Sequence, residues 1–299
     1  MKKLIINADE FGLTEGTNKA IIEAYKFGTV TSTTMIVNMW AFKDAVRLAK
    51  ENPDFGVGIH LNLTDGRPVL HPDKDVSLVD SDGLFYKRRS LIIKLLQHKV
   101  NLEDIEREFK AQLEKLINNG IYLTHIDTHQ AIILLPNIFW IIKDLVKELK
   151  LPVILPVDGS KPFSFKKGRW IKRGYTYFIG RNYRRMLKRE GIWMPDNFYK
   201  VVDFSVDKIV NGDNLLKRYK EVFSLSLKNE VSYLMVHPSY ICDNLINFMN
   251  GSQPMALQRE EELKVLLNPA LKESLGHYSL RLGSFRDITY EDSPNKSSS

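Results

Sequence analysis

Three short segments of this 299-residue chain each end a hydrophobic stretch with carboxylate or imidazole side chains. They are LIINADEFG (Leu4–Gly12), VGIHLNLT (Val57–Thr64) and LTHIDTH (Leu123–His129). Each indicates a buried β-strand whose carboxyl end carries titratable groups, which are costly to bury without a partner, a metal or water. Because helix-like sequence separates the segments, we predict an α/β fold with a metal site at the carboxyl ends of its strands.

The remaining pattern predicts a closed sheet. About seven strand candidates alternate with helical segments, including weaker ones at Val153–Val157 and Val201–Phe204. This favours a distorted (β/α) TIM-like barrel of mostly parallel strands. We predict a single domain over residues 1–290, with a basic insertion at about 160–195. The polar tail over 291–299 is expected to be disordered.

The composition limits the expected cellular location of the protein and the kinds of side chain that can bind a metal. No apolar run reaches the roughly 18 residues of a membrane span, and the apolar stretch after Met1 is too short for a signal peptide. We therefore expect a cytoplasmic protein with no membrane partner. Cys242 is the sole cysteine, so a disulfide within the chain and a thiolate metal cluster are excluded. Any metal must be held by His, Asp and Glu.

The net charge of +7 comes from one segment of the chain. Ten Lys or Arg residues and no acidic residue lie in Lys166–Arg189, and the rest of the chain has slightly more acidic than basic residues. A nucleic-acid partner is therefore not expected from the overall charge. The favoured interpretation of this segment is a solvated helix face beside a loop closed by aromatics. Its alternating cations and aromatics leave contact with an anionic partner as the alternative.

The first strand end supplies two adjacent carboxylates, Asp9 and Glu10. A metal-assisted hydrolase needs a carboxylate ligand and a separate general base, and a bend at the end of the strand would let both face one cavity. The alternative is a helix N-cap beside a solvated acid. In the second segment His60 shares a strand face with Gly58 and Asn62 and is either a ligand or a hydrogen-bonded core residue.

The third strand end is the richest. On an extended strand His125, Asp127 and His129 would lie on one face, and two imidazoles with a carboxylate suit a divalent cation that activates water. A strand edge with solvated histidines is the alternative. His237 follows the apolar SYLMV and, taken alone, favours a structural role.

At these residues the chain resembles the YdjC-like carbohydrate deacetylase family, which includes chitooligosaccharide deacetylases. NADEFG is similar to the family's Asn-Ala-Asp-Asp-Phe-Gly. The resemblance extends from Lys3 to about Ile288 through further blocks in the same order: TSTT (Thr31–Thr34), Gly58–Thr64, THIDTH (Thr124–His129), VHP (Val236–Pro238) and LGSFRD (Leu282–Asp287).

The resemblance implies an enzyme that removes acetyl groups from N-acetylglucosamine units of short oligosaccharides. It implies one divalent metal, magnesium in the family, with zinc as the alternative. The metal ligands would be Glu10, His60 and His129, with Asp9 as the general base and His237 as the general acid. Substrate contacts are expected from His125, Asp127 and Asn62, and a homodimer is left open.

Two other functions remain open at this point. One is a barrel metalloenzyme acting on a phosphorylated sugar, whose phosphate the basic insertion would hold. The other is a catalytically weak glycan-binding relative. Three differences from the family motivate this alternative. Glu10 replaces an aspartate, and Gln130 follows His129 where the family has further histidines. The segment Val153–Val157 lacks an arginine found in the family.

Overall fold

The fold is known from a computed structural model that describes residues 2–70, 77–157, 170–202 and 209–288. These residues form two compact units. The first contains the chain up to Met35 together with Trp40–Val57 and Pro195–Ile288, and the second contains Ile36–Met39 and Gly58–Met194. A single domain over 1–290 stays a prediction. The predicted tail and the first part of the basic insertion lie outside the described residues.

Strands and helices alternate along the described chain. The strands are β1 (Lys3–Phe11), β2 (Ser32–Met35), β3 (Gly56–Leu61), β4 (Leu123–Thr128), β5 (Asn197–Lys200), β6 (Val231–Val236) and β7 (Arg281–Leu282). The helices are α1 (Glu15–Lys26), α2 (Phe42–Glu51), α3 (Arg88–Leu96), α4 (Leu102–Asn118), α5 (Pro136–Leu149), α6 (Trp170–Arg189), α7 (Gly212–Ser226), α8 (Asp243–Phe248), α9 (Gln253–Leu266) and α10 (Pro269–His277).

The seven strands form a parallel sheet. In the first unit the neighbours run β2-β1-β6-β5, and β7 also pairs with β1. In the second unit β4 lies beside β3 and is extended by a parallel bridge between Ile126 and Val153. The predicted α/β class with about seven mostly parallel strands is confirmed, whereas closure into a barrel stays a prediction.

The β1–α1 junction shows why the first strand end is well ordered. From Leu4 onward every residue of β1 is buried, as expected of a parallel strand covered on both faces. Thr14 caps α1 by accepting the backbone N–H of Thr17. Asn18 accepts the N–H of Gly12 at 2.7 Å and donates to the carbonyl of Ala41. The turn after Asp9 and Glu10 is therefore fixed from two sides.

Some predicted elements are wrong in position. The strand expected at Val201–Phe204 is instead β5, since Val201 and Val202 lie beyond its end and Phe204 lies outside the described residues. Val153–Val157 contributes an isolated bridge at Val153 rather than a full strand. In the basic segment, α6 buries Tyr183, whose ring stacks on Phe139 at 3.5 Å between centroids. Its outer residues, including Arg181 and Arg185, are exposed, which supports the solvated-face interpretation.

No helix among the described residues is both long and apolar enough to cross a membrane.

Candidate metal centre

The end of β1 has an irregular backbone. Its pairing with β2 shifts register between Ala8 and Phe11, and Glu10 has φ 71°, in the left-handed region that residues with a Cβ seldom adopt. Such conformations cost about 1–3 kcal/mol and cluster at functional sites. The irregularity breaks the strand alternation that would otherwise send Asp9 and Glu10 to opposite sides. The predicted bend at this strand end is therefore present.

Asp9 is buried among hydrogen-bond donors of the first unit. Its Oδ1 accepts from Asn7 Nδ2 at 2.7 Å, from Thr34 Oγ1 at 3.2 Å and from the Tyr233 hydroxyl at 3.5 Å. Its Oδ2 lies 3.9 Å from Nε2 of His237. Several donors on one oxygen fix the direction of the carboxylate. The arrangement orients the second oxygen of Asp9 toward an imidazole.

Glu10 is held by an arginine from a distant helix. Arg259 Nη1 donates to Glu10 Oε2 at 2.6 Å, and both side chains are almost fully buried. An ion pair removed from water keeps its charges only with good geometry, which this short contact provides. One oxygen of Glu10 is thus committed to a guanidinium.

His237 lies at the end of β6, and a buried carboxylate fixes its backbone. Its N–H donates to Glu262 Oε2 at 2.8 Å, while Glu262 Oε1 accepts from the Tyr219 hydroxyl at 3.0 Å. Burial raises the pKa of Glu262 to about 7, against the opposing effect of these hydrogen bonds and the charge of Arg259. Burial also raises the pKa of Tyr219 well above its ordinary value.

Two imidazoles meet in the second unit. His129 Nδ1 lies 3.3 Å from His60 Nε2, and both rings are buried. The other nitrogen of His129, Nε2, lies 3.2 Å from Asp65 Oδ2. A carboxylate that accepts a hydrogen bond from the N–H of one ring nitrogen leaves the opposite nitrogen with a free lone pair, the usual arrangement behind a metal-binding histidine. Here that nitrogen is the one that faces His60.

Asp65 is itself anchored. Its Oδ1 accepts from Lys87 Nζ at 2.6 Å, and its Oδ2 accepts from Gln130 Nε2 at 2.9 Å. Burial raises the pKa of this carboxyl group, but the hydrogen bonds and charges of His129 and Lys87 outweigh that effect and lower it overall. Asp65 therefore behaves as a charged support for His129.

The predicted common face of His125, Asp127 and His129 stays a prediction. β4 ends at Thr128, whose backbone is still extended, and His129 begins a 3-10 turn (His129–Leu134) in which Gln130 and Ala131 have left-handed φ values of 53° and 55°. The chain therefore kinks directly after His129. Gln130, which lies in this kink, donates to Asp65, the carboxylate beside His129.

His125 and Asn62 have geometries that favour structural roles, so their substrate contacts stay predictions. His125 is fully buried, its Nδ1 lies 2.9 Å from Thr124 Oγ1, and its ring fills the space left by Gly58. Burial lowers its pKa to about 3, so the ring is neutral near pH 7. The Asn62 amide is fully used in shaping its loop, since it donates to Asn38 and to the Asp65 carbonyl and accepts the Thr64 and Asp65 N–H groups.

Several buried side chains have the chemistry of metal ligands. Asp9 and Glu10 supply carboxylates in the first unit, and His60, Asp127 and His129 supply imidazoles and a carboxylate in the second. The residues fit a metal by a further measure. Two nitrogens at about 2.0–2.1 Å from one tetrahedral ion lie roughly 3.3 Å apart, the separation observed between the two imidazoles. The protein thus has buried His, Asp and Glu groups that can bind one metal ion.

Sequence reasoning missed the residues that support this centre. Arg259 and Glu262 lie on a helix far along the chain, and no local pattern marked them. Asp65 comes directly after the Val57–Thr64 segment, and its position after a strand was the one signal that could have found it. Thr34 belongs to the TSTT block, from which no site role was predicted.

A sequence profile described as "YdjC-like protein" matches residues 3–277. The chain belongs to the YdjC-like family. Among its relatives are proteins named "Carbohydrate deacetylase" from Clostridium beijerinckii and Geobacillus stearothermophilus, each 34% identical. The alignments cover 96% and 95% of this chain and 100% and 97% of the two relatives.

A solved structure is also similar to this YdjC-like chain. It is a protein from Enterococcus faecalis described as a candidate cellobiose-phosphate cleavage protein, with a TM-score of 0.76 and 25% identity. The superposition covers 96% of this chain and 98% of that protein. The names of the full-length relatives support a hydrolytic deacetylase.

Proposed function

We propose that this protein is a metal-dependent hydrolase that removes N-acetyl groups from oligosaccharides containing N-acetylglucosamine. The observation that carries the proposal is the pair of buried imidazoles, His60 and His129, whose facing nitrogens lie 3.3 Å apart. The names of the full-length relatives support the reaction class. A cytoplasmic location and a homodimer remain expectations.

The metal would be held by Glu10, His60 and His129. When bound, a divalent cation polarises the acetyl carbonyl and lowers the pKa of a water molecule beside it. Two imidazoles and one carboxylate suit zinc and related transition metals, whereas magnesium prefers an all-oxygen octahedral shell. We therefore expect this chain to bind Zn²⁺ or Co²⁺ more tightly than Mg²⁺, although the family resemblance implies magnesium.

Asp9 is the proposed general base. Asn7, Thr34 and Tyr233 fix its Oδ1, and its Oδ2 is the oxygen that would take a proton from the attacking water. A fixed carboxylate loses little entropy on reaching the transition state. His237, 3.9 Å from that oxygen, is the proposed acid that gives a proton to the departing amine.

The test is acetate release from N,N′-diacetylchitobiose after metal removal and after addition of Zn²⁺, Co²⁺ or Mg²⁺. Asp9→Asn should lower kcat about 10²- to 10⁴-fold, the usual contribution of a general base, with metal affinity retained. His60→Ala and His129→Ala should each lose measurable metal binding by calorimetry. An unchanged rate of acetate release in Asp9→Asn, or full metal affinity in both histidine variants, would refute the proposal.

A second candidate is hydrolysis of a phosphorylated disaccharide, which the description of the Enterococcus faecalis structure favours. The same assay separates the two, because bond cleavage between sugars releases monosaccharides and no acetate. A protein that binds chitooligosaccharides without releasing either product would be the catalytically weak glycan-binding relative.

A further inference from the structure

Helix α9 buries a row of polar side chains that a surface helix would normally expose. Gln258, Arg259 and Glu262 are each at most 4% exposed, and they lie on one face of the helix because residues three or four apart are neighbours. Burying a charge or an amide is unfavourable unless each group finds a partner. Their partners therefore indicate what this face is for.

Two of the three side chains reach the candidate centre. Arg259 donates to Glu10 Oε2, and one helical turn later Glu262 accepts the backbone N–H of His237. The carbonyl oxygen of Arg259 also accepts the N–H of Ser239 at 3.4 Å. Pro238, between His237 and Ser239, has no backbone N–H. One helix thus holds the end of β1 and the turn after β6.

Gln258 does not have a partner of this kind. Its amide pairs with the backbone of Val210, accepting the N–H at 2.6 Å and donating to the carbonyl at 3.3 Å. It is as buried as its neighbours and lies on the same helix. Gln258 therefore provides a matched control that separates helix packing from effects on the centre.

The Glu10 side chain gives Arg259 a specific task. A glutamate has one more rotatable bond than an aspartate, so it needs an extra constraint to present one defined oxygen. Arginine is suited to that constraint, because its planar guanidinium is always charged and holds a carboxylate in a fixed direction. With Oε2 held, Glu10 would offer its other oxygen to a cation.

We propose that Arg259 and Glu262 are positioning residues of this centre, Arg259 for the Glu10 carboxylate and Glu262 for the His237 turn. The inference rests on the proposed function, since it takes Glu10 as a metal ligand and His237 as the acid. Neither residue touches the reacting atoms. Each acts through the residue that it holds.

The first test is Zn²⁺ and Co²⁺ affinity by calorimetry, together with the visible absorption spectrum of the Co²⁺ form. Arg259→Met should weaken metal affinity about 10- to 100-fold, the usual effect of removing a group that orients a ligand, and should alter the Co²⁺ spectrum. Arg259→Lys, which keeps the charge and preserves folding, should give a smaller loss. Gln258→Leu should leave both readouts unchanged.

Electrostatics alone predicts the opposite sign for Arg259→Met, because removing a cation beside a ligand favours a second cation. Unchanged or tighter metal binding in both Arg259 variants, with Glu10→Gln clearly weakened, would overturn the role of Arg259 and leave the proposed function intact. Metal binding that is unaffected even by Glu10→Gln would instead show that the proposed ligand set is wrong.

Glu262 is tested by a split between kinetic constants. Glu262→Gln keeps an acceptor for the His237 N–H but cannot ionise, and Glu262→Leu removes the acceptor. We expect metal affinity and KM near those of the unsubstituted protein in both, with kcat lowered slightly in the first variant and at least 10-fold in the second. If Glu262→Leu lowers thermal stability but leaves kcat unchanged, Glu262 is a packing residue and this part of the inference fails.

Discussion

The contact between Gly58 and His125 gives a sharp test of the local geometry. Replacing Gly58 with alanine would place a Cβ 2.6 Å from His125 Cε1 and 2.7 Å from both ring nitrogens. Ordinary contacts begin near 3.4 Å, so the ring would have to move by roughly 0.8 Å. His125 is fully buried in β4 and has little space into which it can move.

The expected cost follows from two terms. Overpacking a well-packed interior costs about 1–3 kcal/mol. Displacing the ring also weakens its 2.9 Å hydrogen bond with Thr124, a further loss of about 1 kcal/mol. Alanine returns about 0.5–1 kcal/mol, because glycine loses more backbone entropy on folding. We therefore expect Gly58→Ala to lower the free energy of unfolding by about 2–3 kcal/mol.

Urea unfolding followed by circular dichroism measures this cost in a double-mutant cycle of Gly58→Ala and His125→Ala. Without the imidazole the added methyl group meets no ring, so Gly58→Ala should be close to neutral in the His125→Ala background. Gly283→Ala is the control, since its Cβ would make only ordinary contacts of 3.6–3.9 Å with the side chains of Lys3 and Ile5. A cost for Gly58→Ala that is the same with and without His125 would refute the steric explanation.

Three further predictions concern charged and titratable groups. His125, with its pKa lowered to about 3 by burial, contributes stability that is fully present above pH 6.5 and is lost as pH falls towards 3. The loss is about 2 kcal/mol at pH 5. The urea midpoint of His125→Ala should therefore change less between pH 7 and 5 than that of the unsubstituted protein, and an equal change in both proteins would contradict this. Glu262, with its pKa raised to about 7 by burial, contributes stability that is fully present below pH 4.5 and is lost as pH rises through 7. Glu262→Gln should therefore gain stability over the unsubstituted protein between pH 5 and 8 by up to about 3 kcal/mol, and parallel curves would be evidence against a buried neutral carboxyl. Asp65→Asn should weaken Zn²⁺ affinity about 10-fold by calorimetry, and an affinity equal to that of the exposed control Asp80→Asn would exclude Asp65 as a support for His129.

The strand ends were predictable because their signal is local. An apolar run that stops at Asp9, at His60 or at His237 marks both a buried strand and the edge where its polar groups emerge. Parallel strands bring such ends to one edge of a sheet, so the class of site followed from the pattern. Helix α4 (Leu102–Asn118) also has a local signal, since an apolar face and an asparagine at its N-cap are both visible in the sequence.

The supporting residues were not predictable because their contacts join distant parts of the chain. Arg259 meets Glu10 across 249 positions of the chain, and Asp65 meets His129 across 64. Neither pairing leaves a periodic trace, because a buried charge on a helix looks in sequence like a solvated one. The kink after His129 was also not predictable, since glutamine and alanine seldom adopt the left-handed backbone found at Gln130 and Ala131.

The kink after His129 bears on any attempt to transplant the centre. Copying His-Ile-Asp-Thr-His onto a strand that continues straight past its second histidine would omit the left-handed conformations of Gln130 and Ala131. It would also omit the amide of Gln130, which donates to the carboxylate that holds the ring of His129. A designer would therefore have to move the kink together with the histidine.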